Sequence, residues 1–421
     1  MERFIRIQIK ILIFVPHKPS YLLTEMMKRP ILLLSLLLAV LTLQAKKTYT
    51  IVVSMDGFRW DYTQKYHAPN IEQVGREGVW TNMLPSYPAS TFPNHYAIAT
   101  GLVPDHHGIV NNTFWDPKTQ TTFSSGNPET SSNGYYFGGE PIWLTAQRQG
   151  LKTSIVYWVG SDVAVQGEFP NSYKSYREPP LLDYYARVDT AMAHLSKPKS
   201  ERPSLVMIYF DEPDHQAHLH GPDSPEVAQA VARVDSVIGY LRREISKLKI
   251  AKRVNLILLA DHGMTNIADE RCVRPSDYLK PEWYERIVPG IPAFIFSKPQ
   301  YRDSIAQALE HTPHVQYYKK EDIPALMQFG TNERAGDILV VPDLGWQFGD
   351  TPKHQSGNHG YDPHDKEMWA LFRAVGPSFK KGGYKSSMFQ NIDIYPLLCH
   401  LLGIKPAPVD GKLERIREIL K

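Results

Sequence analysis

The chain has few cysteines, little net charge and no apolar run long enough to cross a bilayer. Only two cysteines, Cys272 and Cys399, occur among 421 residues, so the fold cannot depend on a disulfide framework. We expect two unpaired buried thiols, with a single bridge as the alternative in an oxidising compartment. Low-complexity tracts and internal repeats are also absent, which leaves an ordinary globular composition with 42% hydrophobic and 22% charged residues.

The formal net charge of +3 comes from the N-terminal segment. Residues 1–45 carry six basic and two acidic residues, and the rest of the chain holds 41 basic and 42 acidic residues. Nucleic acids bind through phosphate neutralisation by clustered Lys and Arg. This balance therefore gives no reason to expect binding to duplex nucleic acid.

The first 45 residues are typical of an export signal. A basic pair precedes the apolar stretch 31–43, and small residues suitable for cleavage end at Ala45. Thirteen apolar residues are too few to cross a bilayer as a stable helix. We therefore expect no membrane span and a secreted or periplasmic protein, with an uncleaved anchor as the alternative. Met27 is a second candidate for the translation start, in which case residues 1–26 are a misassigned extension.

Strand and helix patterns alternate along the first two thirds of the chain. Short runs rich in Val, Ile and Leu predict buried strands of a parallel sheet at 49–55, 152–157, 204–210 and 254–260. Helices are predicted at 70–78, 91–101 and 141–149, and after Ser224, which is a suitable N-cap for an amphipathic helix. The predicted class is α/β, a doubly wound, mostly parallel central sheet with helices on both faces.

The alternation changes after Met264. The next ninety residues contain predicted strands and one helix among many prolines and aromatic residues; the strands are at 291–296 and 337–341, and the helix is at 302–311. We interpret 265–355 as an inserted α+β subdomain, so that the core comprises 46–264 and 356–421. Segment 113–140 is rich in Thr, Ser, Asn and Gly, and we expect a long surface loop that borders the functional site.

Carboxylates and imidazoles occur where the apolar strands end. They lie in the motifs TIVVSMDGFRW, YFDEPDHQAHLHGP and NLILLADHGM, and in SGNHGYDP about a hundred residues later. In open α/β sheets, ligands bind at the carboxyl ends of the strands, and unpaired charge is too costly to bury there. We therefore expect two divalent metal ions. Mixed nitrogen and oxygen ligands favour zinc, with manganese or iron as alternatives. The proposed ligands are Asp56, Asp214, His218, Asp261, His262 and His359.

A pair of ions about 3.5–4 Å apart is suited to phosphoryl transfer, because it clamps the attacking and leaving oxygens. Thr91, in PSYPASTFPNHYAIATG, is the candidate nucleophile, since the N-terminus of a helix favours an anionic oxygen. Asn112, in GIVNNTF, is a candidate donor to a non-bridging phosphoryl oxygen. The structural alternatives are a helix-capping threonine and a turn-forming asparagine. Four further polar residues are expected to support the ligands or lie on the surface: His95, Asp105, His106 and His107.

From about Thr48 to Leu402 the chain resembles the nucleotide pyrophosphatase/phosphodiesterase family (type I phosphodiesterases) of the alkaline phosphatase superfamily. The resemblance is carried by MDGFR, TFPNHYAIATG, GIVNN, EPDHQAH–GP, ADHGM and NHGYDP. It implies an alkaline phosphatase-like fold and a covalent phospho-enzyme formed on Thr91, with Asn112 assisting at the phosphoryl oxygen. It also implies two zinc sites, one formed by Asp56, Asp261, His262 and the Thr91 oxygen, and the other by Asp214, His218 and His359.

The resemblance implies substrate-binding residues as well. Phe92 matches the family's aromatic residue beside the nucleophile, on which a base can stack. Trp158 lies in YWVGSD, which is similar to the family's Trp-Pro-Gly-Ser-acid element, with Val159 where proline is usual. Tyr176, in SYKSYRE, is the candidate for a second stacking aromatic, with an ordinary surface tyrosine as the alternative.

The expected function is an exported, zinc-dependent hydrolase of nucleotide-type phosphodiester or pyrophosphate bonds. The motifs around Thr91 and Asn112 contain no Arg or Lys, whereas a dianionic monoester needs extra positive charge on its free oxygens. A diester is therefore favoured. Alternatives with the same metals are a phosphate monoesterase, a phosphonate hydrolase and a choline-phospholipid phosphodiesterase. A remote alternative is an inactive metal-binding domain, although every expected position is filled.

Overall fold

The computed structural model describes residues 48–421. The predicted export signal, its cleavage site and the alternative translation start all fall on residues 1–47 and lie outside the described residues. Within residues 48–421, no helix has both the length and the apolar character that a membrane crossing requires.

Nineteen strands lie in the described part of the chain. In chain order they are β1 (Tyr49–Met55), β2 (Val79–Leu84), β3 (Thr113–Asp116), β4 (Thr121–Ser124), β5 (Thr153–Val156), β6 (Tyr173–Lys174), β7 (Leu205–Phe210), β8 (Val254–Leu259), β9 (Thr265–Asn266), β10 (Cys272–Val273), β11 (Tyr284–Val288), β12 (Ala293–Ser297), β13 (Val315–Lys319), β14 (Ile338–Pro342), β15 (Gln347–Phe348), β16 (Gly357–Asn358), β17 (Ala370–Val375), β18 (Tyr384–Lys385) and β19 (Phe389–Gln390).

Eleven α-helices are described alongside them, together with short 3₁₀ turns. They are α1 (Tyr62–Lys65), α2 (Pro69–Glu77), α3 (Thr91–Thr100), α4 (Pro104–His107), α5 (Pro128–Ser131), α6 (Ile142–Arg148), α7 (Tyr184–Ser196), α8 (Asp214–His220), α9 (Pro225–Lys247), α10 (Arg302–Glu310) and α11 (Ile394–Leu402).

The centre of the fold is a nine-stranded sheet in the order β18-β2-β17-β8-β1-β7-β5-β6, with β19 also paired to β2. The middle strand β1 is buried along its whole length and pairs in parallel with both β7 and β8. A strand covered by helices on both faces has no solvated side, which explains its continuous apolar sequence. The α/β class with a mostly parallel sheet is thus confirmed; β17 is antiparallel to both of its neighbours.

Strand β2, which lies between β17 and the short strands β18 and β19, is absent from the sequence prediction. Its side chains alternate between buried and partly exposed positions along VWTNML. Because Thr81 and Asn82 interrupt the apolar run, the segment lacks the continuous pattern by which the central strands were recognised.

The prediction of a long surface loop at 113–140 is wrong, because the segment contains regular secondary structure. Strands β3 and β4 form an antiparallel hairpin there, and α5 follows it. Phe114 and Phe123 are fully buried, with their rings stacked at a centroid distance of 4.6 Å. The segment is mostly polar, so its composition did not indicate that these few aromatic residues anchor it to the core.

A separate four-stranded antiparallel sheet, in the order β11-β12-β14-β13, lies within the predicted insertion. Ile305 and Leu309 of α10 pack on its apolar face together with Ile295 and Val340. The bounds 265–355 for the inserted subdomain stay a prediction. Outside it, Ser224 caps α9 by accepting a 3.3 Å hydrogen bond from Val227 N–H.

The two cysteines are unpaired in the structure. Cys399 is buried, as expected, whereas Cys272 is only partly buried. Burial raises the pKa of the Cys399 thiol to about 12, so this side chain behaves as a small apolar core residue.

Candidate active site

The predicted metal ligands lie together at the carboxyl edge of the central sheet. Asp56 directly follows β1, Asp214 opens α8 just after β7, and Asp261 and His262 follow β8. His359 comes from a distant part of the chain and directly follows β16, which pairs with β9 immediately after the β8 motif. Strand order and one short antiparallel pairing therefore gather residues as far apart in the chain as Asp56 and His359.

Gly57 allows the strand ends to approach each other closely. Its φ is +61°, and a Cβ built at this position would lie 2.9 Å from both Cβ and Oδ1 of Asp214. Any larger residue would push Asp214 away and would also strain the backbone. The Gly57 N–H donates to Asp261 Oδ1 at 3.1 Å, so the same residue orients a second carboxylate.

Asp214, His218 and His359 form one group with ligand atoms close enough to hold an ion. His218 Nε2 lies 3.3 Å from Asp214 Oδ2, and His359 Nε2 lies 3.6 Å from Asp214 Oδ1. The two Nε2 atoms are 3.2 Å apart. Two imidazole nitrogens that face each other beside a carboxylate are arranged to share a cation.

A second group surrounds Asp56 and Asp261. His262 Nε2 lies 3.0 Å from Asp261 Oδ2 and 3.5 Å from Asp56 Oδ1. The possible metal-holding sets in the described chain join Asp56 either to Asp214 and His262 or to Asp261 and His95. The two groups therefore adjoin each other, with Asp214 and Asp56 between the histidines.

The three imidazoles are all held through their other ring nitrogen. The Nδ1 atoms of His218, His262 and His359 lie 2.8, 2.8 and 3.1 Å from the carbonyl oxygens of Gly357, Gly263 and Ala89. A carbonyl only accepts, so each Nδ1 carries the proton and donates it. When the imidazole is neutral, its Nε2 lone pair then faces the cluster, which is the tautomer that a metal ligand needs.

The buried carboxylates of the cluster require positive charge nearby. Burial raises the pKa of Asp56 well above its ordinary value, and the nearby Asp261 and Asp214 raise it further. Burial also disfavours charge on Asp214, but His218 and His359 outweigh it and hold the pKa of that carboxyl below its ordinary value. In the described part of the chain, Asp56 Oδ1 and Asp214 Oδ1 are buried and accept no hydrogen bond. Such oxygens fit divalent cations, which would supply the missing partners.

Thr91 is the first residue of α3, and Ser90 stands at the N-cap position in extended conformation. The Thr91 Oγ1 atom lies 3.1 Å from His262 Nε2, so the side chain points at the cluster. The structural alternative of a capping threonine is wrong, because Thr91 lies inside the helix. Its hydroxyl is instead placed where the helix dipole favours negative charge.

Asn112 is fixed beside Thr91. Its Oδ1 accepts a 2.9 Å hydrogen bond from Phe92 N–H, and its own backbone N–H donates to Asn111 Oδ1 at 2.8 Å. Because the amide oxygen is anchored next to the Thr91 peptide, the NH₂ group is the end left to interact with a ligand.

An open slot of about 280 Å³ leads from Thr91 between aromatic side chains. Phe92, Trp158 and Tyr176 all line it. Tyr176 is 38% exposed, whereas Trp158 is almost fully buried and donates its indole N–H to His95 O at 3.0 Å. Trp158 therefore forms part of the wall, and Phe92 and Tyr176 offer the accessible ring surfaces.

Two residues that the sequence analysis did not single out contribute to the site. The Tyr209 hydroxyl donates to Asp56 Oδ2 at 2.6 Å, and its ring lines the slot. Arg177 also lines the slot, paired with Asp162 and donating to Ser131 Oγ at 2.8 Å. Tyr209 stands one residue before the end of the strand LVMIYF, and this polar aromatic was the available signal.

The remaining polar residues of the helical motifs have supporting positions. His95 is fully buried, with Nδ1 3.2 Å from Asp261 Oδ2 and Nε2 2.8 Å from Ser54 Oγ. Asp105 accepts hydrogen bonds from the backbone of 330–332. His107 is buried and contacts Pro93 O at 3.1 Å, whereas His106 is exposed beside Asp410.

Comparison with known proteins gives consistent matches across the described chain. The family profile described as type I phosphodiesterase/nucleotide pyrophosphatase matches residues 50–362. Ectonucleotide pyrophosphatase/phosphodiesterase family member 3 of Bos taurus is 38% identical over 88% of this chain and 44% of its own length. Member 5 of Homo sapiens is 34% identical over 92% of this chain and 83% of its own length.

Venom phosphodiesterase 2 of Crotalus adamanteus is 35% identical over 88% of this chain and 47% of its own length. The chain thus spans less than half of the bovine and venom relatives. Among solved structures, murine member 5, as an inactive threonine-to-alanine variant in complex with AMP, has a TM-score of 0.83 and 33% identity. The structural match covers 89% of this chain and 100% of the murine chain.

Proposed function

The chain belongs to the type I phosphodiesterase/nucleotide pyrophosphatase family, and we propose that it is an exported, zinc-dependent phosphodiesterase and pyrophosphatase. The proposed substrates are nucleotide-type phosphodiesters or pyrophosphates, which are cleaved to a nucleoside monophosphate. The names of the relatives, which include ectonucleotide and venom enzymes, support both the activity and a location outside the cell.

The placement of Thr91 carries this proposal. Its Oγ1 lies 3.1 Å from His262 Nε2, at the N-terminus of α3 and at the mouth of the aromatic slot. A hydroxyl in that position faces both the cluster that fits cations and the space where a substrate can bind. A threonine that served only as part of the helix would not need its hydroxyl beside the imidazole of the cluster.

We assign the ligands of two zinc ions from the two groups of side chains. One ion is held by Asp214, His218 and His359, whose ligand atoms all lie within 4.8 Å of one another. The other is held by Asp56, Asp261 and His262 together with the Thr91 oxygen. The shared position of Asp56 and Asp214 between the groups supports two adjoining ions, which when bound would neutralise the carboxylates and act as Lewis acids.

The chain's own residues perform the remaining steps. The Thr91 hydroxyl loses its proton to solvent and its oxygen attacks phosphorus. The new O–P bond forms as the bond from phosphorus to the leaving alcohol or phosphate breaks, and the leaving oxygen takes up a proton from solvent. Water then cleaves the Thr91–phosphate bond, which releases the monophosphate and restores the hydroxyl. The Asn112 NH₂ group donates to a non-bridging oxygen while charge builds up there, and Tyr209 keeps Asp56 oriented through its 2.6 Å hydrogen bond.

The slot supports a nucleoside on one side of the scissile bond. Phe92 and Tyr176 offer ring surfaces on which a base can stack without sequence preference. AMP occupies the related murine protein.

The decisive experiment compares kcat/KM of the zinc-loaded protein on p-nitrophenyl-thymidine monophosphate and on p-nitrophenyl phosphate. We expect a preference of at least about a hundredfold for the diester, equivalent to roughly 3 kcal/mol of transition-state stabilisation. A preference for the monoester would contradict the proposed substrate class. Turnover of neither compound by protein with two bound ions would contradict the proposed activity.

A further inference from the structure

Behind the slot, Arg187 of α7 is buried in a cage of aromatic rings. Its guanidinium carbon lies 4.6, 5.4 and 4.8 Å from the ring centroids of Tyr157, Tyr176 and Tyr184. The residue is only 4% exposed. A buried guanidinium needs hydrogen-bond partners for its donors, and it stacks well on aromatic faces.

The Nη1 and Nε donors bind groups next to the slot. Arg187 Nη1 donates to Tyr209 O at 2.7 Å and to Asp211 Oδ1 at 3.2 Å. Its Nε donates to Leu182 O at 3.1 Å. One side chain thus joins the end of β7 to the segment that precedes α7.

The Asp211 contact leads directly to Tyr176. The Tyr176 hydroxyl donates to the same Asp211 Oδ1 at 2.9 Å, and the Tyr176 ring packs against the Tyr157 ring at a tilt of 35°, with the centroids 4.3 Å apart. Tyr176 is 38% exposed, and it lines the slot. The hydrogen bond to the carboxylate and the contact with the guanidinium, whose carbon lies 5.4 Å from the Tyr176 ring centroid, therefore restrict the orientation of a partly exposed ring.

We propose that Arg187 is a positioning residue that holds the Tyr176 ring in place for the base of the substrate. Within the described chain Arg187 does not line the slot, so it acts through Tyr176 and Asp211 and not by contact with substrate. The inference rests on the proposed function in one respect, that the group bound in the slot is a nucleobase. Arg187 controls how tightly the base binds, whereas the metal cluster acts on the reaction at phosphorus.

The test compares Arg187→Lys with wild type on substrates with and without a base. For p-nitrophenyl-thymidine monophosphate we expect KM to rise about fivefold, because part of the base–aromatic stacking is lost, while kcat is unchanged. For methyl p-nitrophenyl phosphate, which has no base, KM and kcat should both be unchanged. The matched control is Arg202→Lys, since Arg202 also covers a tyrosine, Tyr49, at 5.5 Å but at the opposite end of β1.

Tyr176→Phe provides a second, independent variant that removes only the hydroxyl bound to Asp211. Calorimetry should show weaker AMP binding in each single variant. The double variant should bind AMP no more weakly than Arg187→Lys alone, because both changes release the same ring. Binding of inorganic phosphate should be unchanged in Arg187→Lys.

Equal rises in KM for both substrates, a fall in kcat alone, or additive losses in the double variant would overturn the assignment of Arg187. Failure of the wild-type protein to hydrolyse either substrate would instead overturn the proposed function. In that case the calorimetric comparison of AMP with phosphate still decides whether Arg187 controls the slot.

Discussion

Replacing Tyr209 by phenylalanine should weaken metal binding while leaving the fold intact. The Tyr209 hydroxyl donates a 2.6 Å hydrogen bond to Asp56 Oδ2, and Asp56 is 2% exposed. Burial raises the pKa of Asp56, Asp261 and Asp214 raise it further, and the Tyr209 hydrogen bond opposes them. Without the hydroxyl, Asp56 holds its proton to a higher pH and is a poorer ligand.

The size of the effect follows from the charge on the acceptor. A hydrogen bond to an ionised group contributes about 1.5–3 kcal/mol, and loss of a partner that orients a metal ligand weakens metal binding about 10–100-fold. Since a cation must displace the Asp56 proton, the deficit should be greatest at low pH and should shrink as pH rises. The pH midpoint of metal loading therefore moves upward in the variant.

Competition with a coloured zinc chelator across a pH series measures this directly. The matched control is Tyr96→Phe, because the Tyr96 hydroxyl is buried without a hydrogen-bond partner in the part of the chain that the structure describes. Equal zinc affinities of Tyr209→Phe and wild type, or the same loss in Tyr96→Phe, would refute the role given to this hydrogen bond.

Three further outcomes are expected. Thr91→Ala should abolish turnover with zinc content near that of wild type by elemental analysis; wild-type turnover would show that another group attacks phosphorus. His359→Ala should lower zinc content and activity together, because one ion loses a nitrogen ligand, and unchanged zinc content would contradict the ligand assignment. Removing metal with a chelator should lower Tm. The raised pKa of Asp56 means that its contribution to the metal-free fold is present at low pH and lost as pH rises through that pKa, so the Tm difference from loaded protein should widen with pH, and a constant difference would refute this.

The side chains that meet at the candidate site were predictable because they lie in short motifs at strand ends. Asp56 and Asp261 each follow a run of apolar residues that could only be a buried strand, and adjacent parallel strands place their carboxyl ends side by side. His359 was predicted from its motif alone, since nothing local indicates that β16 pairs with β9. The pairing is two residues long, too short for a sequence pattern to reveal.

The residues that position and surround the site were less predictable, because their roles depend on contacts between distant parts of the chain. By its residue type alone, Arg187 is expected on the solvent-exposed face of a helix, but in the structure it is buried. The hairpin at 113–124 is held by the stacked pair Phe114 and Phe123 in an otherwise polar segment. In both cases a few side chains override the local composition, and only the folded chain shows which neighbours they meet.

The backbone, more than the side chains, determines which nitrogen of each histidine faces the cluster. The acceptors for the three Nδ1–H groups are the carbonyl oxygens of Gly357, Gly263 and Ala89, and a carbonyl oxygen is present whatever residue stands there. Each of these positions therefore requires a particular course of the backbone. Gly357 is an example. A Cβ at Gly357 would lie 2.3 Å from Ala217 O in α8, so only glycine lets β16 approach closely enough for its carbonyl to reach His218. The tautomers are thus fixed by the fold before any cation binds, and metal binding need not order the imidazoles.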